Sequence, residues 1–141
     1  MVHALHEAQR VLQPNGILFD LRPAPVHRRV GIQSVSGYQE IGVMREDLTD
    51  DYFANRAVKQ VVHESLFKSE KYVEFNCNRV MDGLKEFQTW LVEFTILGRE
   101  RSAVHDWLAE RVERAYQATP GKKKIIVHSP LTLRKLRNLA G

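Results

Sequence analysis

A chain of 141 residues, 43% hydrophobic and 27% charged, has room for one compact domain, or a domain with an appendage, and is too apolar to stay disordered. It has no apolar run of about 18 residues, Met1-Val2-His3-Ala4-Leu5-His6 lacks the basic-then-apolar order of a signal peptide, and the single Cys77 excludes an internal disulfide or a cysteine-based zinc cluster; the reading is a cytoplasmic protein with no membrane contact. The net charge of +4 is uneven, because Lys122 to Gly141 holds six basic residues and no acidic one, while the remainder nets −2.

Ala4, Leu5, Ala8, Val11 and Leu12 recur at helical spacing and predict a one-sided helix. Pro14 cannot continue it, and Asn15-Gly16 supplies residues comfortable at positive φ. Ile17-Leu18-Phe19-Asp20-Leu21 is nearly all apolar, which predicts an inner strand buried on both faces. Together these form the second half of a βαβ unit. Beyond Arg22-Pro23-Ala24-Pro25, the segments Arg28 to Val35 and Tyr38 to Arg45 flank Ser36-Gly37 and predict a β-hairpin.

Leu48-Thr49-Asp50 opens a helix that buries Ala54, Ala57, Val58, Val61 and Val62 and ends near Leu66. Tyr72 to Asn78 alternates, with Val73, Phe75 and Cys77 on one face, as a half-exposed strand does. Asp82 caps a helix carrying Leu84, Phe87, Leu91 and Phe94; Ser102 caps another carrying Val104, Leu108, Val112 and Ala115. Thr119-Pro120-Gly121 breaks it. Ile125-Ile126-Val127 reads as a strand, and Pro130 as the first turn of a short basic helix, Leu131 to Leu139. The expectation is an α/β chain, a single domain over 1–141 closing on a basic strand and helix at 122–141.

The stretch His3 to Pro23 resembles a late segment of the class I S-adenosylmethionine-dependent methyltransferases. There an amphipathic helix ends in an Arg-Val-Leu-x-Pro-Gly-Gly turn and enters the fifth strand of the sheet. Here the turn reads Arg10-Val11-Leu12-Gln13-Pro14-Asn15-Gly16, and Asn15, which also tolerates the left-handed region, stands for the first glycine. The resemblance implies a partial Rossmann-like methyltransferase sheet with an antiparallel hairpin and flanking helices. It further implies S-adenosylmethionine as cofactor and transfer of its sulfonium methyl group to a substrate nucleophile.

The family's glycine-rich turn and ribose-binding acid have no counterpart, since Gly31, Gly37 and Gly42 fall in or between the hairpin strands. The isolated chain is therefore expected not to hold the cofactor tightly. A sheet beginning at the fifth strand leaves Ile17 to Leu21 with unpaired backbone and bare apolar faces. Such a chain is a truncated reading of a longer gene, a degenerate methyltransferase, or a half that assembles with itself, as a homo-oligomer, or with a separate amino-terminal half.

Asp20 and Arg22 lie at the carboxyl end of the predicted inner strand, where ligands of open α/β sheets collect. Asp20 can orient a substrate amine or hydroxyl and Arg22 can clamp a carboxylate or phosphate; the bland alternative is that Asp20 pairs with Arg22 or Arg28. Lys122, Lys123 and Lys124 are candidate phosphate contacts, set against an ordinary solvated face. A non-enzymatic module is the second reading, taking nucleic acid on this basic end or a protein on the helices bearing Trp90 and Trp107. His3 and His6, at i and i+3, are two imidazoles without the further ligands of a metal site. His63-Glu64-Ser65 and His105-Asp106 are sequence neighbours that diverge on a helix and make no triad. Cys77 reads as an inert buried thiol.

Overall fold

The computed structural model describes residues 1–96 and 103–139. In chain order the elements are α1 (Val2–Val11), β1 (Ile17–Pro23), β2 (Arg29–Ser34), β3 (Gly37–Val43), α2 (Thr49–His63), β4 (Phe67–Met81), α3 (Leu84–Ile96), α4 (Ala103–Ala118) and β5 (Lys123–Asn138). The fold is mixed α/β with a five-stranded sheet. Pairing runs β1-β5-β2-β3, and β4 also pairs with β5. The expected order of elements holds except at the end: Leu131 to Leu139 is no helix but the second half of β5. Leu131-Thr132-Leu133-Arg134 alternates apolar and polar residues with the period of a strand. Pro130 supplies no N–H, but its carbonyl accepts from the Ala24 amide at 2.9 Å. The proposed cap Ser102 lies outside the described residues.

The chain divides into two compact units: Met1–Val26, Leu48–Phe75 and Pro130–Gly141 form one, His27–Asp47 and Asn76–Ser129 the other. In the first unit β1 runs antiparallel to β5, with Leu18 opposite Leu136 and Asp20 opposite Arg134. Leu18 packs with Leu136, Leu5 of α1, Ala57, Val58 and Val61 of α2 and Phe67 of β4, so both helices serve one face of this strand pair. The alternate residues Ile17, Phe19 and Leu21 remain in solvent, Phe19 at 63% and Leu21 at 57% exposure. The expectation that β1 is buried on both faces is thus corrected. An apolar run this short does not say how many faces are covered.

The joint between α1 and β1 is closely specified. Asn15 sits at φ 62°, and the Gly16 amide bonds back to the Gln13 carbonyl at 2.8 Å. A Cβ on Gly16 would stand 2.8 Å from that same oxygen, so glycine is required. Asn138, wholly buried, donates its side-chain amide to the carbonyls of Gln9, Leu12 and Gln13 at 3.1–3.3 Å. Carbonyls at the end of α1 and in the turn after it are thereby bound by the last residue of β5.

On the exposed face of this unit, Glu70 meets Lys135 at 2.8 Å and Arg137 through a bidentate contact. Hydrogen bonds from Arg137 and then Lys135 hold its carboxyl down at about 2, below the ordinary 4.5. A carboxylate depressed on folding stabilises the chain above 4.5 and loses that contribution as pH falls through about 2. Glu70→Gln is therefore expected to flatten the loss of stability between those values, read from urea midpoints at a series of pH values. An acid limb identical to that of the parent protein would show that Glu70 plays no part.

In the second unit β2 is flanked by antiparallel β3 and β5, with a bulge between Val30 and Gly31. The hairpin matches its prediction, and Gly37 turns it at φ 115°, a conformation that side chains resist. Val30, Ile32, Ile125 and Val127 send their side chains into a core with Phe87, Leu91, Phe94, Leu108 and Val112 from the helices. Trp90 packs beside Phe87 and Phe94 at centroid distances of 6.1 and 5.3 Å. Trp107 is 56% exposed, with the Arg111 guanidinium 4.5 Å above its ring.

Candidate functional site

The two substrate-side residues read from the sequence meet. Asp20 takes a bidentate contact from Arg22, with Nε donating to Oδ1 at 2.7 Å and Nη2 to Oδ2 at 2.8 Å. The alternation of β1 puts both on the face that carries α2, and Asn55 of α2 accepts from Arg22 Nη2 at 3.1 Å. Their side chains are only 9% and 13% exposed. Both oxygens of Asp20 are thus committed to a neighbour two residues on, which leaves the carboxylate an anchor for Arg22.

Around this pair stand residues that the sequence did not single out. Arg134 lies opposite Asp20 on β5, and its guanidinium is 5.0 Å above the ring of Tyr72 on β4. The Tyr72 hydroxyl donates to Glu74, and that bond pushes its pKa above the ordinary value. No local signal in the sequence finds Arg134, because its place opposite Asp20 is set by the β1–β5 register.

The lysine cluster is real but partly spent. Lys122, Lys123 and Lys124, with Tyr116 and the hairpin residues Gln33, Ser34 and Val35, line an open concavity of about 540 Å³. Lys123 lies 4.5 Å above the Tyr116 ring and donates to the Thr119 carbonyl at the end of α4. Lys124 is 3.0 Å from Asp82. Two of the three cations therefore already hold internal partners, and Lys122 has none among the described residues.

Elsewhere, His6 is 3.1 Å from Glu64, and among the described residues no group of three or more His, Cys, Asp or Glu side chains converges as metal ligands would. The side chains of His105 and Asp106 lie outside the described residues. Cys77 is exposed rather than buried. Every β4 residue from Lys68 to Val80 is exposed, so the apolar alternation around Cys77 does not mark a buried face.

The residues present do not compose the implied cofactor site. No glycine-rich turn follows a strand, and β1 leads into Arg22-Pro23-Ala24-Pro25, a segment whose prolines lack amides for a phosphate or a ribose. No described helix is long and apolar enough to cross a membrane. No family model, no curated protein and no solved structure matches the chain.

Proposed function

We propose that the chain is the carboxyl-terminal, acceptor-side portion of a class I S-adenosylmethionine-dependent methyltransferase, acting with a cofactor-binding half supplied by a further segment or a second chain. The observation that carries this reading is the joint of α1, the Pro14-Asn15-Gly16 turn and β1, with Asn15 in the left-handed region that the family gives to glycine. The antiparallel β5 beside β1 supports it, since an antiparallel pair closes the sheet after the fifth strand in that family. So does the other edge of β1, where no described strand pairs, next to the exposed Phe19 and Leu21.

In this reading the missing half brings the cofactor, which supplies an electrophilic methyl group when bound. This chain supplies the end of β1, with Arg22 held in place by Asp20 and Asn55. Titration calorimetry with S-adenosylmethionine, with the mass in solution measured on the same sample, tests it. The chain alone is expected to give no heat at millimolar ligand. Joined at Met1 to a segment bearing a glycine-rich turn and a ribose-binding acid, it is expected to bind in the micromolar range. Failure of the joined protein to bind removes the reading. A discrete multimer of the chain alone, with β1 protected from hydrogen exchange, assigns the open edge to self-association instead.

A further inference from the structure

We propose that Arg22, with Arg134 beside it, binds a small anionic oxygen ligand, a carboxylate or phosphate group, on the α2 face of the first unit. The starting point is a donor without an acceptor. Arg22 uses Nε and Nη2 on Asp20 and Asn55, but Nη1 is buried and has no hydrogen-bond partner among the described residues. A buried guanidinium N–H left unmatched is costly, and an oxygen placed there recovers a charge-assisted bond. The orientation is fixed in advance. Asp20 grips one edge of the planar fork and Asn55 fills the neighbouring Nη2, so that Nη1 is left directed away from both.

The second observation is charge. Asp20 neutralises Arg22, while Arg134, in register with Asp20, meets the Tyr72 ring and no carboxylate among the described residues. One positive charge is thus left over near the unmatched donor. Glu74 is engaged by the Tyr72 hydroxyl and stands in solvent, where water and salt screen it. Both Tyr72 and Glu74 are exposed, so the ring and the Arg134 side chain can turn aside to admit a ligand. The inference stands apart from methyl transfer; should the chain prove to be an acceptor half, the oxyanion belongs to the acceptor.

The test is thermal unfolding of the whole chain titrated with sodium benzoate and, separately, with inorganic phosphate, at an ionic strength held constant with chloride. The expected result is a saturable rise in Tm with at least one probe, and the probe that binds tells a carboxylate site from a phosphate site. The Arg22 guanidinium proton signals should move with the same midpoint. Arg134→Gln, which leaves the Asp20–Arg22 pair intact, is expected to weaken that binding about tenfold. No saturable rise with either probe, or an equal rise in Arg134→Gln, overturns the proposal. Neither result alters the S-adenosylmethionine titration, so the two readings fail separately.

Discussion

Asp20→Ala is expected to destabilise the protein by about 3–5 kcal/mol, the loss that follows when one partner of a buried ion pair is removed and the other stays behind. The side chain of Arg22 is 13% exposed and takes most of its partners from Asp20. Without the carboxylate, its charge is left with the neutral Asn55 oxygen alone. Asp20→Asn keeps an acceptor but not the charge, and its loss should be intermediate. The double variant Asp20→Ala/Arg22→Met removes both charges and keeps the bulk, and is expected to recover much of the stability. Urea unfolding of the four proteins closes the cycle. A single Asp20→Ala loss below about 1 kcal/mol, the range of a surface pair, would show that the pair is solvated and that Asp20 does not position Arg22.

That pair also marks how far the sequence could be read. The α1 helix, its Pro14-Asn15-Gly16 stop, the hairpin and the core stripes of α2 and α3 were legible because each is a local matter of period and turn chemistry. Asp20 and Arg22 were legible as a pair at the end of a strand. Their completion by Asn55 and Arg134 was not, because those contacts span 33 residues to α2 and a full strand register to β5. The same limit explains Leu131 to Leu139. Its basic residues and leading proline satisfy a helix locally, the alternation of Leu131 to Arg134 satisfies a strand, and pairing with β1 decides between them. Asn138 carries no local signal at all, since its function is to meet carbonyls of a helix more than a hundred residues earlier. Cys77 shows the converse, an alternating pattern that marks no buried face.

Phe87→Ala is expected to cost about 3–5 kcal/mol, through lost transfer energy and the cavity left in a core that collapses only in part. Phe87 is wholly buried among Leu91, Phe94, Leu108 and Val112 of the helices and the inward residues of β2 and β5. The sharper expectation concerns where the loss is felt. This core and the one built around Phe67 and Leu136 share no member, although β4 and β5 each contribute residues to both units. Hydrogen exchange should therefore show amides of β2 and β3 losing protection in Phe87→Ala while those of α1 and α2 keep theirs, and Phe67→Ala should give the mirror image. Equal loss across all four elements in either variant would mean that β4 and β5 couple the cores into one cooperative fold. The oxyanion site would then answer to substitutions throughout the chain rather than to those of its own unit.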